Sequence, residues 1–168
     1  NALWSFAPHD VAVVLRLIGQ FPIEVSATGG SFLTKGLADV TVSNMRFSDE
    51  TRAHVFVSWL HPFKEQRLVV VGDKKMAIFN DVATYGEKLL LYPQTVEFEG
   101  KIPVLKKDDF EPVEYTDAEP LREECRHFLD CVTNRNKPLT DAQSGIEVLK
   151  VLHACQSSID QNGIPVRL

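Results

Sequence analysis

The chain is poor in the features that mark several large protein classes. Its 168 residues include three cysteines, an odd number without Cys-x-x-Cys spacing, which argues against a disulfide framework and for a reducing compartment. Positive charge is in deficit: 18 Lys+Arg stand against 23 Asp+Glu, a formal net charge of −5. Nucleic acid and anionic membranes are held by clustered positive charge, so neither partner is expected. No uninterrupted apolar run reaches the roughly 20 residues needed to span a bilayer, and no charged-then-apolar leader opens the chain. The phosphate-cradling glycine patterns are missing too. No Gly-x-Gly-x-x-Gly and no Gly-x-x-x-x-Gly-Lys-Ser/Thr occurs, and Gly29-Gly30 runs into Ser31-Phe32 rather than into a helix. This chain alone should hold no dinucleotide or nucleoside triphosphate.

What is present fits one globular domain over 1–168. Hydrophobic residues make up 44% and charged residues 24%, enough to bury a core and too apolar for a disordered chain. The expected setting is soluble and cytoplasmic. Asn1-Ala2-Leu3-Trp4 carries no initiator methionine and leads almost at once into an apolar periodic segment. That start reads as a cut near a domain boundary, with the remainder of a longer protein on the N-terminal side; removal of a terminal methionine is the alternative.

Val11, Val14, Leu15 and Ile18 follow the i, i+3, i+4, i+7 spacing of a helical face. The spacing predicts a helix from Pro8, suited to a first helical position, to Gly19, suited to a cap. Strand-like alternation follows in Ile23–Thr28, from Val40 to Phe47, and from Ala53 to Trp59, the last two joined by Ser48-Asp49-Glu50 as a hairpin. Arg67–Val71 and Met76–Phe79 flank Gly72-Asp73-Lys74-Lys75, a second hairpin signal. Leu89–Tyr92 and Val96–Phe98 are weaker strands parted by Pro93, and Lys106–Glu119 reads as a surface connection in which Asp108-Asp109 is solvated. Pro120 opens a helix with Leu121, Cys125, Phe128, Leu129 and Val132 on one face. Thr140-Asp141-Ala142-Gln143 has the form of a capping box before a last helix that turns Val148, Leu149, Leu152, Cys155 and Ile159 to the core and stops at Asn162-Gly163. Gly145 inside that helix suggests close approach to a sheet. The fold class is α+β: an open, mainly antiparallel sheet of about six or seven strands with helices on one face.

Chemistry-bearing groups are few. The histidines at 9, 54, 61, 127 and 153 share no i, i+4 pair, and Cys125, His127 and Cys131 do not converge as metal ligands, so no metal site is expected and the cysteines read as small core residues. His9, placed in the first turn of the expected helix, faces amide donors and the positive dipole end, which favour a neutral imidazole able to act as a general base. A helix-start or capping histidine is the plainer reading. Ser58 to Arg67 mixes aromatics and cations at a strand end; Lys64 and Arg67 there could bind a carboxylate or phosphate, or the segment could be a solvated hairpin end with Trp59 in the core.

Leu3-Trp4-Ser5-Phe6-Ala7-Pro8-His9-Asp10-Val11, the segment Ser58–Arg67 continuing to Val71-Gly72-Asp73-Lys74-Lys75, and Thr140-Asp141-Ala142-Gln143-Ser144-Gly145 together resemble the C-terminal domain of the glucose–fructose oxidoreductase/inositol dehydrogenase family. The likeness spans nearly the whole chain and is nearest to members acting on UDP-linked N-acetylated sugars or their uronic acids. It implies a two-domain NAD(P)-dependent sugar dehydrogenase whose N-terminal Rossmann half, absent from this chain, holds NAD or NADP and a proton-relaying lysine in a Glu-Lys-Pro motif. The half in hand would shape the sugar site, form a homo-oligomer through its sheet face, bind no cofactor and be inactive alone. A purely oligomerising module and a dehydrogenase of free sugars or polyols are the alternatives. The resemblance implies that His9 is the catalytic acid–base group. Many relatives carry aspartate four residues earlier, where Ser5 stands here; Ser5, Lys64 and Arg67 are then expected to bind substrate.

Overall fold

The computed structural model describes residues 1–107 and 109–168, so Asp108 of the acidic pair lies outside the described residues. In chain order the elements are α1 (Ala2–Ile18), β1 (Glu24–Gly30), β2 (Val40–Arg46), β3 (Arg52–Ser58), β4 (Arg67–Val71), β5 (Lys75–Asn80), β6 (Leu89–Glu99), β7 (Ile102–Lys107), β8 (Glu111–Pro112), α2 (Pro120–Asn134), α3 (Ala142–Asp160) and β9 (Val166–Arg167). They form two compact units, Asn1–Leu60 with His127–Leu168, and His61–Arg126. The α+β class with mainly antiparallel pairing holds, but the strands divide between two sheets instead of building one.

In the first unit α1 starts six residues earlier than the apolar spacing predicts, at Ala2 instead of Pro8. The Asn1 side-chain carbonyl caps it, accepting the Trp4 N–H at 3.2 Å. The buried stripe is Ala2, Leu3, Ala7, Val11 and Val14, with Pro8 inside the helix. An interior proline costs about 3 kcal/mol. Burying Leu3 contributes about 1.5–3 kcal/mol and an asparagine cap about 1 kcal/mol, which is of the size needed to offset the proline.

The sheet order is β3-β2-β1-β9, with Ala27 opposite Ser43 and Ser43 opposite Val55. Alternation turns Val25, Ala27, Met45, Val55 and Val57 to one side, where they join α1, Phe47, Val151, Leu152 and Cys155 in one core. Ser158 of α3 accepts the Ala27 N–H at 2.9 Å and donates to the Ile164 carbonyl at 2.7 Å, tying helix, strand and the approach to β9 together.

The second unit is a sheet of order β4-β5-β6-β7 with β8 also on β6. Its first hairpin is the expected one, closed by the Gly72 N–H on the Lys75 carbonyl at 3.0 Å. The two weak strands around Pro93 are one strand, β6. Pro93 stands opposite Lys75, where β5 begins, and pairing with β7 begins at Gln94; a residue without an N–H is tolerated at such a changeover. The expected connection from Lys106 instead continues β7 and contributes β8.

The helices bring further corrections. α2 forms as expected, but Leu121, Phe128, Leu129 and Val132 are all exposed, not turned to a core. The apolar stripes of α1 and α3 are already used on each other and on the sheet. α3 is capped by Asp141 rather than Thr140: the carboxylate accepts the Ser144 N–H at 2.9 Å, the Ser144 hydroxyl donates back to the Asp141 carbonyl at 2.7 Å, and Gln143 turns to Glu147. The Ser144 amide and then Lys137 hold the Asp141 carboxyl below its usual range. A carboxylate accepts more strongly than a hydroxyl, which moves the cap by one residue. The buried face of α3 is Val151, Leu152, Ala154, Cys155 and Ser158, leaving Leu149 exposed. Only Cys155 is a core cysteine; Cys125 is exposed and Cys131 half-buried. A Cβ on Gly145 would meet nothing within 4 Å, so no close approach explains that glycine. Among the described residues no helix is long and apolar enough to cross a membrane.

Leu152→Ala should cost about 2–5 kcal/mol in urea unfolding through the cavity it leaves, whereas Gly145→Ala should add about 0.5–1 kcal/mol by restricting the unfolded chain. A destabilised Gly145→Ala variant would mean that the open space is needed.

Candidate functional site

Burial of the Leu3–Ala7–Val11–Val14 stripe leaves Ser5 and His9 together on the outward side of α1, four residues apart and both exposed. The Ser5 hydroxyl donates to the Asn1 carbonyl at 3.0 Å and accepts from Nε1 of Trp59 at 3.0 Å. Trp59 follows the end of β3, and its main-chain N–H donates to the Asp39 carbonyl at 2.9 Å. Its side chain is neither core nor free surface: the residue is 37% exposed.

Asp39 is the buried hub of this corner, 1% exposed. Its carboxylate accepts the N–H groups of Phe32 at 2.6 Å and Leu33 at 2.8 Å, and its own N–H donates to the Gly30 carbonyl at 2.8 Å. The Ala2 N–H donates to the Ala38 carbonyl at 2.8 Å. The loop between β1 and β2 is thereby fastened to both the start of α1 and the end of β3. Behind α1, Gln156 of α3 accepts from Nδ2 of Asn1 at 2.8 Å and Nε1 of Trp4 at 3.1 Å, and Trp4 meets the ring of His153 edge-on at 4.9 Å.

His9 therefore sits in the third turn of α1 and not at a helix mouth. Unpaired helical amides belong to the first turn, so the dipole argument for a neutral imidazole does not apply. Among the described residues its ring makes no hydrogen bond to the protein, which leaves both nitrogens open to a ligand. The adjacent Asp10 carboxyl is raised from its ordinary value of 3.8 chiefly by burial, with the charge of His9 opposing.

Lys64 and Arg67 belong to the second unit. Nζ of Lys64 lies 3.0 Å from Asp81, which also meets Lys88 at 3.4 Å. The hydrogen bond from Lys64, then that from Lys88, keeps the Asp81 carboxyl below its usual range. Arg67 is exposed at the first position of β4, opposite Asn80. Lys64 is thus already ion-paired, and Arg67 has no acidic partner among the described residues.

The glycine pair makes no phosphate cradle: a Cβ on Gly30 would lie 2.5 Å from the Phe32 ring, so the missing side chain makes room for phenylalanine. Among the described residues no three His, Cys, Asp or Glu side chains converge as metal ligands. His127 and Cys131 do meet, Sγ lying 3.5 Å from Nε2, but that nitrogen also accepts the Leu139 N–H at 3.0 Å and serves the chain's own packing.

Sequence reasoning missed three participants: Asp39, Asp10 and the anchored ring of Trp59. Asp39, a lone acid between Ala38 and Val40 at a strand start, was the available signal. A carboxyl whose pKa rises on folding supports the fold below its unfolded pKa, and that support is lost as pH rises through the folded value. Asp10→Asn should therefore match the parent in stability below about pH 3.8 and exceed it by a margin that grows as pH rises through the folded value and then levels off, as read by thermal unfolding across pH. A stability difference that does not change with pH across the carboxyl's titration would contradict the raised pKa.

The "Oxidoreductase family, C-terminal alpha/beta domain" matches residues 2–168. No curated protein matches. Among solved structures, UDP-N-acetylglucosamine 3-dehydrogenase GnnA from Acidithiobacillus ferrooxidans superposes with a TM-score of 0.80 at 20% identity, over 95% of this chain and 49% of that one. Aldose-aldose oxidoreductase from Caulobacter crescentus, complexed with glycerol, gives 0.75 at 16% identity, over 100% and 48%. The WlbA dehydrogenase from Bordetella pertussis, in complex with NADH and UDP-GlcNAcA, gives 0.67 at 19% identity, over 96% and 43%. The chain thus spans about half the length of these relatives; it belongs to the glucose–fructose oxidoreductase/inositol dehydrogenase (Gfo/Idh/MocA) family of oxidoreductases, as the C-terminal α/β domain.

Proposed function

We propose that this chain is the substrate domain of an NAD(P)-dependent dehydrogenase that oxidises a sugar ring hydroxyl to a ketone, the sugar being a UDP-linked N-acetylated hexose or its uronic acid. The observation that carries this reading is the exposed imidazole of His9, whose ring makes no hydrogen bond among the described residues, one helical turn from the Ser5–Trp59 pair. In that setting a nitrogen of His9 takes the hydroxyl proton as the carbon gives up hydride. The hydride acceptor is a nicotinamide; since the chain matches the family's C-terminal domain and spans about half the length of its structural relatives, the cofactor and the lysine that assists proton transfer are assigned to an N-terminal Rossmann half of the parent protein. The exposed stripe of α2, Leu121, Phe128, Leu129 and Val132, supports docking against such a half. Of the two cations of the second unit, Arg67 is the freer to meet an anion, because Lys64 would first have to release Asp81. The domain alone is inactive on this reading.

In the full-length protein His9→Ala or His9→Asn should lower the turnover number by about 10²–10⁴-fold while cofactor still binds. An unchanged turnover number would remove His9 from the chemistry. Calorimetric titration of the full-length protein with UDP-sugars and with free sugars separates the nucleotide-sugar reading from the free-sugar one.

A second, compatible reading is self-association. On one face of the second sheet Val69, Val71, Val96, Phe98 and Leu105 align through the register and are all exposed, an apolar surface of the kind that associates. Sedimentation of the 168-residue chain should show a homo-oligomer; a strict monomer at high concentration would contradict it.

A further inference from the structure

We infer that the indole of Trp59 is the surface against which the sugar ring lies, and that Ser5 is a positioning residue that sets the angle of that indole. The inference rests on the dehydrogenase reading above. Trp59 is held at two points: its main-chain N–H on the carbonyl of the buried Asp39, and its ring N–H on the Ser5 hydroxyl. The ring therefore meets a ligand already ordered, which reduces the entropy cost of binding. With Nε1–H committed to Ser5, the indole has no hydrogen-bond donor to offer and acts through its π-face. That face complements the C–H side of a pyranose, as aromatic surfaces complement weakly positive edges.

Ser5 acts mainly through this contact. A hydroxyl has one proton and two lone pairs; the proton is on the Asn1 carbonyl and one lone pair on Trp59. It has no proton left to donate to a substrate. Spacing favours the sugar over the uracil as the stacked ring. Four residues of helix separate Ser5 from His9 by about 6 Å, the width of one pyranose, so a ring resting by Ser5 presents a hydroxyl to the imidazole.

The test uses the full-length protein with UDP-N-acetylglucosamine and UDP as probes. Trp59→Ala should raise KM for the sugar nucleotide about tenfold, leaving KM for the cofactor and inhibition by UDP unchanged. Trp59→Phe and Ser5→Ala should each raise KM a few-fold, and the double variant should be no worse than either, because both remove the same hydrogen bond. Ser5→Thr should restore the parent value. An unchanged sugar KM in both Trp59 variants would overturn the inference, as would equal weakening of UDP, which would put the uracil on the indole. A rise in cofactor KM alone would make Trp59 a contact to the other half, and additive Ser5 and Trp59 effects would end the positioning role. Trp59→Phe keeps the test meaningful if Trp59→Ala folds poorly. His9→Ala separates the two levels: lost turnover with unaltered Trp59 variants sinks this inference alone, and retained turnover sinks the dehydrogenase reading.

Discussion

The corner to which we assign the chemistry depends on the seating of α1. Leu3, Ala7, Val11 and Val14 are buried against the four-stranded sheet and α3, and that rotation alone decides which residues face outward. Turning the helix by one residue, about 100°, would drive Ser5 and His9 out of line and pull Leu3 from the core. Three polar contacts fix the helix start against such a turn: the Asn1 cap, the Gln156 carbonyl that receives Asn1 and Trp4, and the Ala2–Ala38 main-chain bond. Core packing supplies the energy, and these contacts supply the register.

Asp39 extends the same logic to the loop between β1 and β2. A buried carboxylate is costly unless it accepts hydrogen bonds, and here two main-chain N–H groups donate to one of its oxygens. The residue then holds Trp59 through its carbonyl, so one buried acid links a loop, a strand end and an aromatic side chain. The exposed pieces of the corner, the His9 ring and the Trp59 face, are mounted on parts that cannot move independently. Functional groups built this way keep their geometry without a ligand.

The sequence was informative where periodicity and burial agree. The first three strands, the β2–β3 hairpin, the Gly72 turn and the last two helices are legible because alternation, turn residues and helical spacing all name the same elements. It was misleading where a single residue was allowed to decide. Pro8 and Pro93 read as boundaries, yet one lies inside α1 and the other inside β6, because a cap with buried neighbours, or a change of strand partner, offsets the missing N–H. The α2 stripe is a true amphipathic signal, but spacing cannot say what covers it. His9 is proposed on its motif alone, because the first-turn argument fails once α1 starts at Ala2. Trp59 and Asp39 were hidden because their roles come from contacts between residues far apart in the chain.

A structure of the full-length protein with cofactor and UDP-N-acetylglucosamine tests the central claim most directly. The account predicts a ring nitrogen of His9 within about 2.6–3.2 Å of the sugar hydroxyl whose carbon faces the nicotinamide. A sugar bound away from the outward face of α1, with another side chain at that hydroxyl, would contradict it.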